Sequence, residues 1–352
     1  MKVFGRDYTK QELLSYVGNI NQIAGVTRKE QIDGNGDGIR FLEVKNGSGM
    51  EFSVMENRCM DVNSMSYKGI SLNFLSKNGL VYPLRYLPES SEDTLRHLCG
   101  GLFYTCGTQN VGYDCVDAGE RQVCHGRIKA MSAVNVAAAA HWTEDDYLIE
   151  LYGEVRETSL FGENIALRRH MHVSMGKPAV KITDELENEG FEERPLMYMY
   201  HLNLGFPFAD SEMKIYVEPS EKSCRDEWAA PYLSEYRMVE KPQVPGKEIC
   251  IMHSFREKKQ VTTLAFNERL GFGFYIKQDT NVMPFLHEWK TNIAGAYAVG
   301  LEPANCHCEG RVNERRYGTL QTIAPFETVR VETELGILED REQIEQLIKT
   351  SE

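Results

Sequence analysis

The chain has 352 residues and a formal net charge of −13, with a pI near 5.3. That balance argues against a surface for nucleic acid or an anionic membrane, because phosphate recognition needs clustered Lys and Arg, and it leaves a small solute as the expected partner. Nine cysteines, an odd number, and an N-terminus Met1-Lys-Val-Phe-Gly-Arg-Asp7 without an apolar run predict a reduced, cytoplasmic protein with free thiols, and no stretch approaches the roughly 20 uncharged apolar residues that cross a bilayer.

In chain order, the first element is a short helix. Thr9 and Glu12 form a capping-box pattern, followed by Leu13 and Leu14 and stopped by Gly18. Residues 33–38, Asp-Gly-Asn-Gly-Asp-Gly, imitate the start of a calcium loop, but the twelfth position is Val44 where a bidentate glutamate is needed, so a turn is expected. Period-two alternation then dominates. Residues 41–45 and 50–56 flank a turn at 46–49, and alternating runs recur at 167–173, 180–184, 270–277 and 329–335, as antiparallel sheets with one buried face require. Residues 210–246 are richer in Pro, Glu and Ser than their flanks and read as long loops. Asp340 and Gln343 repeat the capping pattern, with Ile344, Leu347 and Ile348 on one helical face. No repeat of 20–50 residues suggests a propeller or solenoid. The expectation is an all-β chain, one antiparallel β-sandwich domain over residues 1–352, bracketed by two short helices.

Two strand-like segments carry the chemistry. In residues 197–205, alternation puts Met197, Met199, His201 and Asn203 on one face and Tyr198, Tyr200, Leu202 and Leu204 on the other. In residues 298–305, Ala298, Gly300 and Glu302 share a face whose small residues leave room for a ligand, and Pro303 ends the strand. An imidazole and a carboxylate presented by two strands of one sheet make an acid/base couple that needs neither metal nor cofactor. Taken singly, each pattern also suits a histidine satisfied within its sheet or a salt-bridged glutamate at a strand end.

Residues 99–110 contain paired glycines that let backbone approach a ligand, and Asn110, His125 and Arg127 offer partners for hydroxyl groups; glycine-rich turns with a surface arginine would look the same. Trp289 is either a sugar-stacking surface or a packed aromatic. Arg58, Arg127, Lys290 and Arg311 could together recognise a charged sugar, or be scattered surface charges. Cys306 with Cys308, and His170 with His172, each supply two of the three or four ligands that zinc requires, so no metal is expected. Hydrolase, P-loop and dinucleotide motifs are absent from the sequence.

Asn57-Arg58-Cys-Met-Asp61, the glycine-rich segment from Cys99 through Gly107, His125-Gly-Arg127, Tyr200-His-Leu-Asn203 and Gly300-Leu-Glu-Pro-Ala-Asn305, followed by Gly310-Arg311, together resemble the aldose 1-epimerase (galactose mutarotase-like) superfamily. The chain looks most like a bacterial branch whose substrates are poorly assigned. The resemblance implies a large β-sandwich with an open sugar-binding face, His201 as general acid, Glu302 as general base, and His125 and Arg58 as sugar-binding residues. It departs from the better-known pattern in lacking an Asn-Arg-Ile run near the first arginine, in setting the acid in Tyr-His-Leu-Asn, and in following Glu302 with Pro-Ala-Asn. The acid and base therefore transfer while the hydroxyl contacts do not.

Opening a pyranose requires a base to take the anomeric hydroxyl proton while an acid protonates the ring oxygen; rotation about C1–C2 and closure give the other anomer. A protonated His201 and an ionised Glu302 would serve, without a cofactor. The alternatives are a carbohydrate-binding or sensing protein using the same groove, and another sugar isomerase or lyase in which the pair abstracts a carbon-bound proton. A sandwich edge could support a homodimer.

Overall fold

The computed structural model describes residues 1–83, 90–218, 221–255 and 258–351. Its largest sheet has eight antiparallel strands, in the order Val134–Trp142, Tyr147–Thr158, Asn164–Ser174, Ala179–Asn188, Thr328–Leu338, Phe272–Asp279, Gln260–Asn267 and Met213–Tyr216. A second sheet has six strands: β1 (Phe103–Thr108), β2 (Met197–Leu204), β3 (Glu221–Cys224), β4 (Glu248–Ser254), β5 (Phe285–Thr291) and β6 (Ala298–Ala304), laid side by side as β1-β2-β6-β5-β4-β3. A third, of five strands, is formed within the first 71 residues.

Alternation in the sequence becomes burial on one face. Along Tyr147–Thr158 every second residue from Tyr147 to Glu157 is buried, as a half-covered sheet dictates. One hydrophobic cluster joins the inner faces, taking Leu167 and Val331 from the eight-stranded sheet, Leu202 and Leu301 from the six-stranded sheet, and Val44 and Phe52 from the five-stranded one. The fold is the expected antiparallel β-sandwich.

Within that apolar layer lies an ion-paired network. Arg169 is fully buried; it donates to both oxygens of Asp184 at 2.8 and 2.7 Å, to Asp61 Oδ1 at 3.0 Å and to Thr105 Oγ1 at 2.9 Å. The hydroxyls of Tyr198 and Tyr200 donate to Asp184 Oδ2 at 2.7 and 2.6 Å. These residues come from all three sheets, so the network ties β1 and β2 to the rest of the molecule.

Four α-helices are described: α1 (Lys10–Tyr16), α2 (Ser91–His97), α3 (Arg311–Tyr317) and α4 (Arg341–Ser351). The first capping pattern is realised in full and the second through one of its two bonds. Thr9 and Glu12 exchange the two bonds of a capping box, and Gln343 N–H donates to Asp340 Oδ1 at 3.0 Å, with Ile344 buried beneath. Residues 33–38 form a turn closed by Asp33 Oδ1 on Gly34 N–H at 2.7 Å. Two expectations need correction. Helices also interrupt the chain internally, because α2 and α3 are only seven residues each, too short to show a 3.6-residue period against the strand pattern. The segment 210–246 is more than loop: it holds the strand Met213–Tyr216, β3 and a 3₁₀ helix over Glu227–Glu235.

Candidate active site

The register of the six-stranded sheet assembles the site. Tyr104 on β1 pairs with His201 on β2. The β2–β6 ladder pairs Met199 with Ala304 and Leu202 with Leu301, which sets His201 opposite Glu302, and Glu302 in turn pairs with His287 on β5. The intervening residues Leu202, Val299 and Leu301 point into the hydrophobic cluster. Period two therefore delivers His201 and Glu302 to the same outer face, as the alternation predicts.

His201 Nε2 lies 3.1 Å from Glu302 Oε1, and both residues are buried. The approach is out of line for a hydrogen bond: neither Oε1 nor His201 Nδ1 has a hydrogen-bond partner of good geometry among the described residues. Burial dominates the electrostatics. It pushes His201 down to about 3, with His287, Arg58 and Lys129 adding repulsion, and it raises Glu302 well above the usual carboxylate range. Burial alone therefore does not favour the charged forms that ring opening uses. Both groups are shifted toward their uncharged forms.

The rest of the cavity, about 190 Å³, is aromatic and polar. Tyr104 stacks on His201, with ring centroids 4.7 Å apart and an interplanar angle of 18°, while Trp289 and His125 present their rings at steep angles from 5.7 and 5.5 Å. His125 is carried by a tight turn in which it has a φ of 57°, and a β-carbon on the next residue, Gly126, would overlap the carbonyl of Gly107. Gly112 N–H donates to His125 Nδ1 at 3.3 Å, so the ring proton belongs on Nε2. Burial also keeps this imidazole well below its ordinary range, which makes it a neutral hydroxyl partner.

The other predicted ligand residues lie elsewhere. Asn110 is fully buried and organises backbone, donating to the Tyr113 and Val123 carbonyls and accepting from Arg311 N–H. Asn203 shares the face of His201, yet its amide donates to the His201 carbonyl at 3.1 Å. Arg58 sits behind Tyr104, its guanidinium 5.0 Å from that ring and 3.9 Å from Asp61. Arg127 donates to the Arg121 carbonyl at 3.0 Å. Lys290, on the opposite face from Trp289, meets Glu288 at 2.8 Å and the Met238 carbonyl at 3.1 Å. Arg311 is buried between Asp117 at 2.8 Å and Glu120 at 2.7 Å. None of these six lines the cavity, so the four cations do not converge on one ligand.

In their place the cavity has residues that, Cys308 apart, the sequence did not single out. Arg225, just beyond β3, pairs with Glu248 at 2.9 Å and lies over Tyr113 at 5.6 Å, and all three line the cavity. Leu95 and Leu98, from α2 and its end, form another wall, and Cys250 and Cys308 a third. Burial raises both thiols, so they are protonated and unreactive. Among the described residues no three His, Cys, Asp or Glu side chains are placed to hold a metal ion.

A family model described as "Domain of unknown function (DUF4432)" matches residues 36–337. The chain belongs to the DUF4432 family. No curated protein matches this DUF4432 chain in sequence, but solved structures share its fold. A "putative aldose 1-epimerase" from Klebsiella pneumoniae subsp. pneumoniae superposes with a TM-score of 0.84 at 19% identity, covering 92% of this chain and 86% of its own. A galactose mutarotase-like protein from Clostridium acetobutylicum gives 0.58 at 14% identity, over 89% and 98%, and a galactose 1-epimerase from Lactobacillus acidophilus gives 0.56 at 11%, over 89% and 98%. The fold of this DUF4432 member is galactose mutarotase-like.

Proposed function

We propose that the protein is a cofactor-independent isomerase of the aldose 1-epimerase type, interconverting the anomers of an aldose or modified sugar. The carrying observation is the 3.1 Å approach of His201 Nε2 to Glu302 Oε1 inside a buried, aromatic cavity. The pair holds one proton in two tautomers: neutral imidazole with carboxylic acid, or imidazolium with carboxylate. Burial favours the first; hydroxyls of an entering sugar solvate the second, which is the reactive one. Glu302 then takes the proton from the anomeric hydroxyl as His201 gives one to the ring oxygen, and the C1–O5 bond opens. Rotation about C1–C2 and the reverse transfers close the ring on the other face and restore the single proton.

Tyr104 supports this by holding the plane of His201, and Trp289 supplies an apolar surface of the kind sugar rings stack against. His125 Nε2–H is a hydroxyl donor. Nine free thiols suit a reducing, cytoplasmic setting. Saturation-exchange NMR of reducing sugars tests the proposal: acceleration of anomer exchange supports it, and solvent deuterium appearing on a substrate carbon would point instead to carbon-bound proton abstraction.

A further inference from the structure

The row of cross-strand neighbours that forms the proposed site does not end at Glu302. Glu302 pairs with His287 on β5, His287 with Met252 on β4, and Met252 with Ser223 on β3. All lie on one outer face, because consecutive partners in an antiparallel ladder share a side. At about 4.8 Å per strand, the row from Glu302 to Ser223 runs roughly 14 Å, longer than one sugar ring.

Over its far half lies a second hollow of about 400 Å³, whose walls include His287, Met252 and Ser223. It shares Arg225, Cys250 and Cys308 with the first cavity, so the two adjoin across these residues. Its chemistry suits a polyol. Glu309 and Thr319 present oxygen atoms, and His307 is oriented by Glu314, with Nδ1 2.6 Å from the carboxylate. Tyr317 is half-exposed beside His307, with ring centroids 5.9 Å apart, and its hydroxyl donates to Glu309 at 2.9 Å. Tyr317 and Met252 give apolar surface for a sugar face, and the others give hydroxyl partners. The first cavity falls below the roughly 300–1,000 Å³ typical of small-molecule sites, and the second falls within that range.

We infer that the second hollow is a subsite for a further sugar ring, so that the preferred substrate is a reducing oligosaccharide whose terminal ring sits between His201 and Glu302 while its neighbour lies over Met252 and Ser223. This rests on the anomer-exchange reading for the first cavity but concerns different residues. Arg225, at the junction, is placed to meet the glycosidic link.

The test has two readouts on the wild-type protein and Ser223→Trp, in which an exposed edge-strand residue is replaced by a ring that fills the hollow. Anomer-exchange kcat/KM is measured for a set of reducing disaccharides and for their monosaccharides, and binding of the same sugars is measured by calorimetry. The expected result is a best disaccharide at least tenfold above its monosaccharide, with that ratio reduced at least tenfold in Ser223→Trp. If no sugar is turned over, the isomerase reading fails, and the subsite stands on disaccharides binding at least tenfold more tightly than monosaccharides, with that preference lost in the variant. Equal treatment of mono- and disaccharides in both readouts, or a preference untouched by Ser223→Trp, overturns the subsite.

Discussion

Glu302 Oε1 occupies the space that a β-carbon on Gly300 would need. The two residues share a face of β6, and Trp289 closes the same space from β5. The small-residue face expected to leave room for a ligand instead leaves room for the carboxylate itself to fold back toward His201. Gly300→Ala would therefore displace the carboxylate, and a shift of about 1 Å can cost on the order of a hundredfold in rate. The expected outcome is anomer exchange reduced about a hundredfold, with far-UV circular dichroism unchanged; wild-type rates in this variant would show that the carboxylate's position is not critical.

The pH profile follows from the burial of the pair. The one-proton state persists until His201 also becomes charged, near the pH of about 3 to which burial pushes its ring, and until the raised carboxyl of Glu302 ionises at the alkaline end. As a coupled pair, the two give macroscopic limits rather than individual ones. kcat/KM should therefore have its acid limb near pH 3. An acid limb at the ordinary imidazole value near 6.5 would contradict this.

Glu157 ends the buried row of its strand as a carboxylate, accepting from Thr108 N–H and Oγ1 at 2.9 and 3.0 Å, while its other oxygen has no partner among the described residues. Burial pushes it up from 4.5 to about 7. A raised folded-state pKa means that its contribution is full below about pH 4.5 and is lost as pH rises through 7, a cost of about 3 kcal/mol by pH 8. Glu157→Gln keeps the acceptor oxygen and removes the charge. Its melting temperature should exceed wild type at pH 8 and match it at pH 4; equal values at pH 8 would show that the carboxylate is solvated.

Arg169 holds Asp184 and Asp61 in a region without water access. Arg169→Met strands both carboxylates, and breaking a buried pair in this way typically costs about 3–5 kcal/mol. Denaturant unfolding should show that loss at pH 7 and a smaller one at pH 4, where Asp61, whose carboxyl is raised by burial, is easier to protonate. An equal loss at both pH values would assign the effect to packing.

Both faces of β2 and β6 were legible from the sequence because each strand alternates between core residues and His201 or Glu302. Tyr104 was not, because Tyr104, Cys106 and Thr108 on its face of β1 do not contrast in polarity with Phe103, Thr105 and Gly107 on the other. Arg225 was hidden in a segment whose Pro and Glu content reads as loop, although β3 adds that segment to the sheet edge. The roles of the cations were hidden for a related reason: Arg58, Lys290 and Arg311 find partners far away in sequence, at Gly100, at Met238 and at Asp117 and Glu120, and only the fold brings those partners together.

In the proposed reaction His201 and Glu302 exchange protons with a reducing sugar. Saturation-exchange NMR on neutral, phosphorylated and sulfonated aldoses and on reducing disaccharides, comparing wild type with His201→Asn and Glu302→Gln, tests it most directly. The expected result is accelerated anomer exchange for at least one sugar, reduced at least a hundredfold in each variant. Binding without acceleration, or acceleration that survives either substitution, would contradict it.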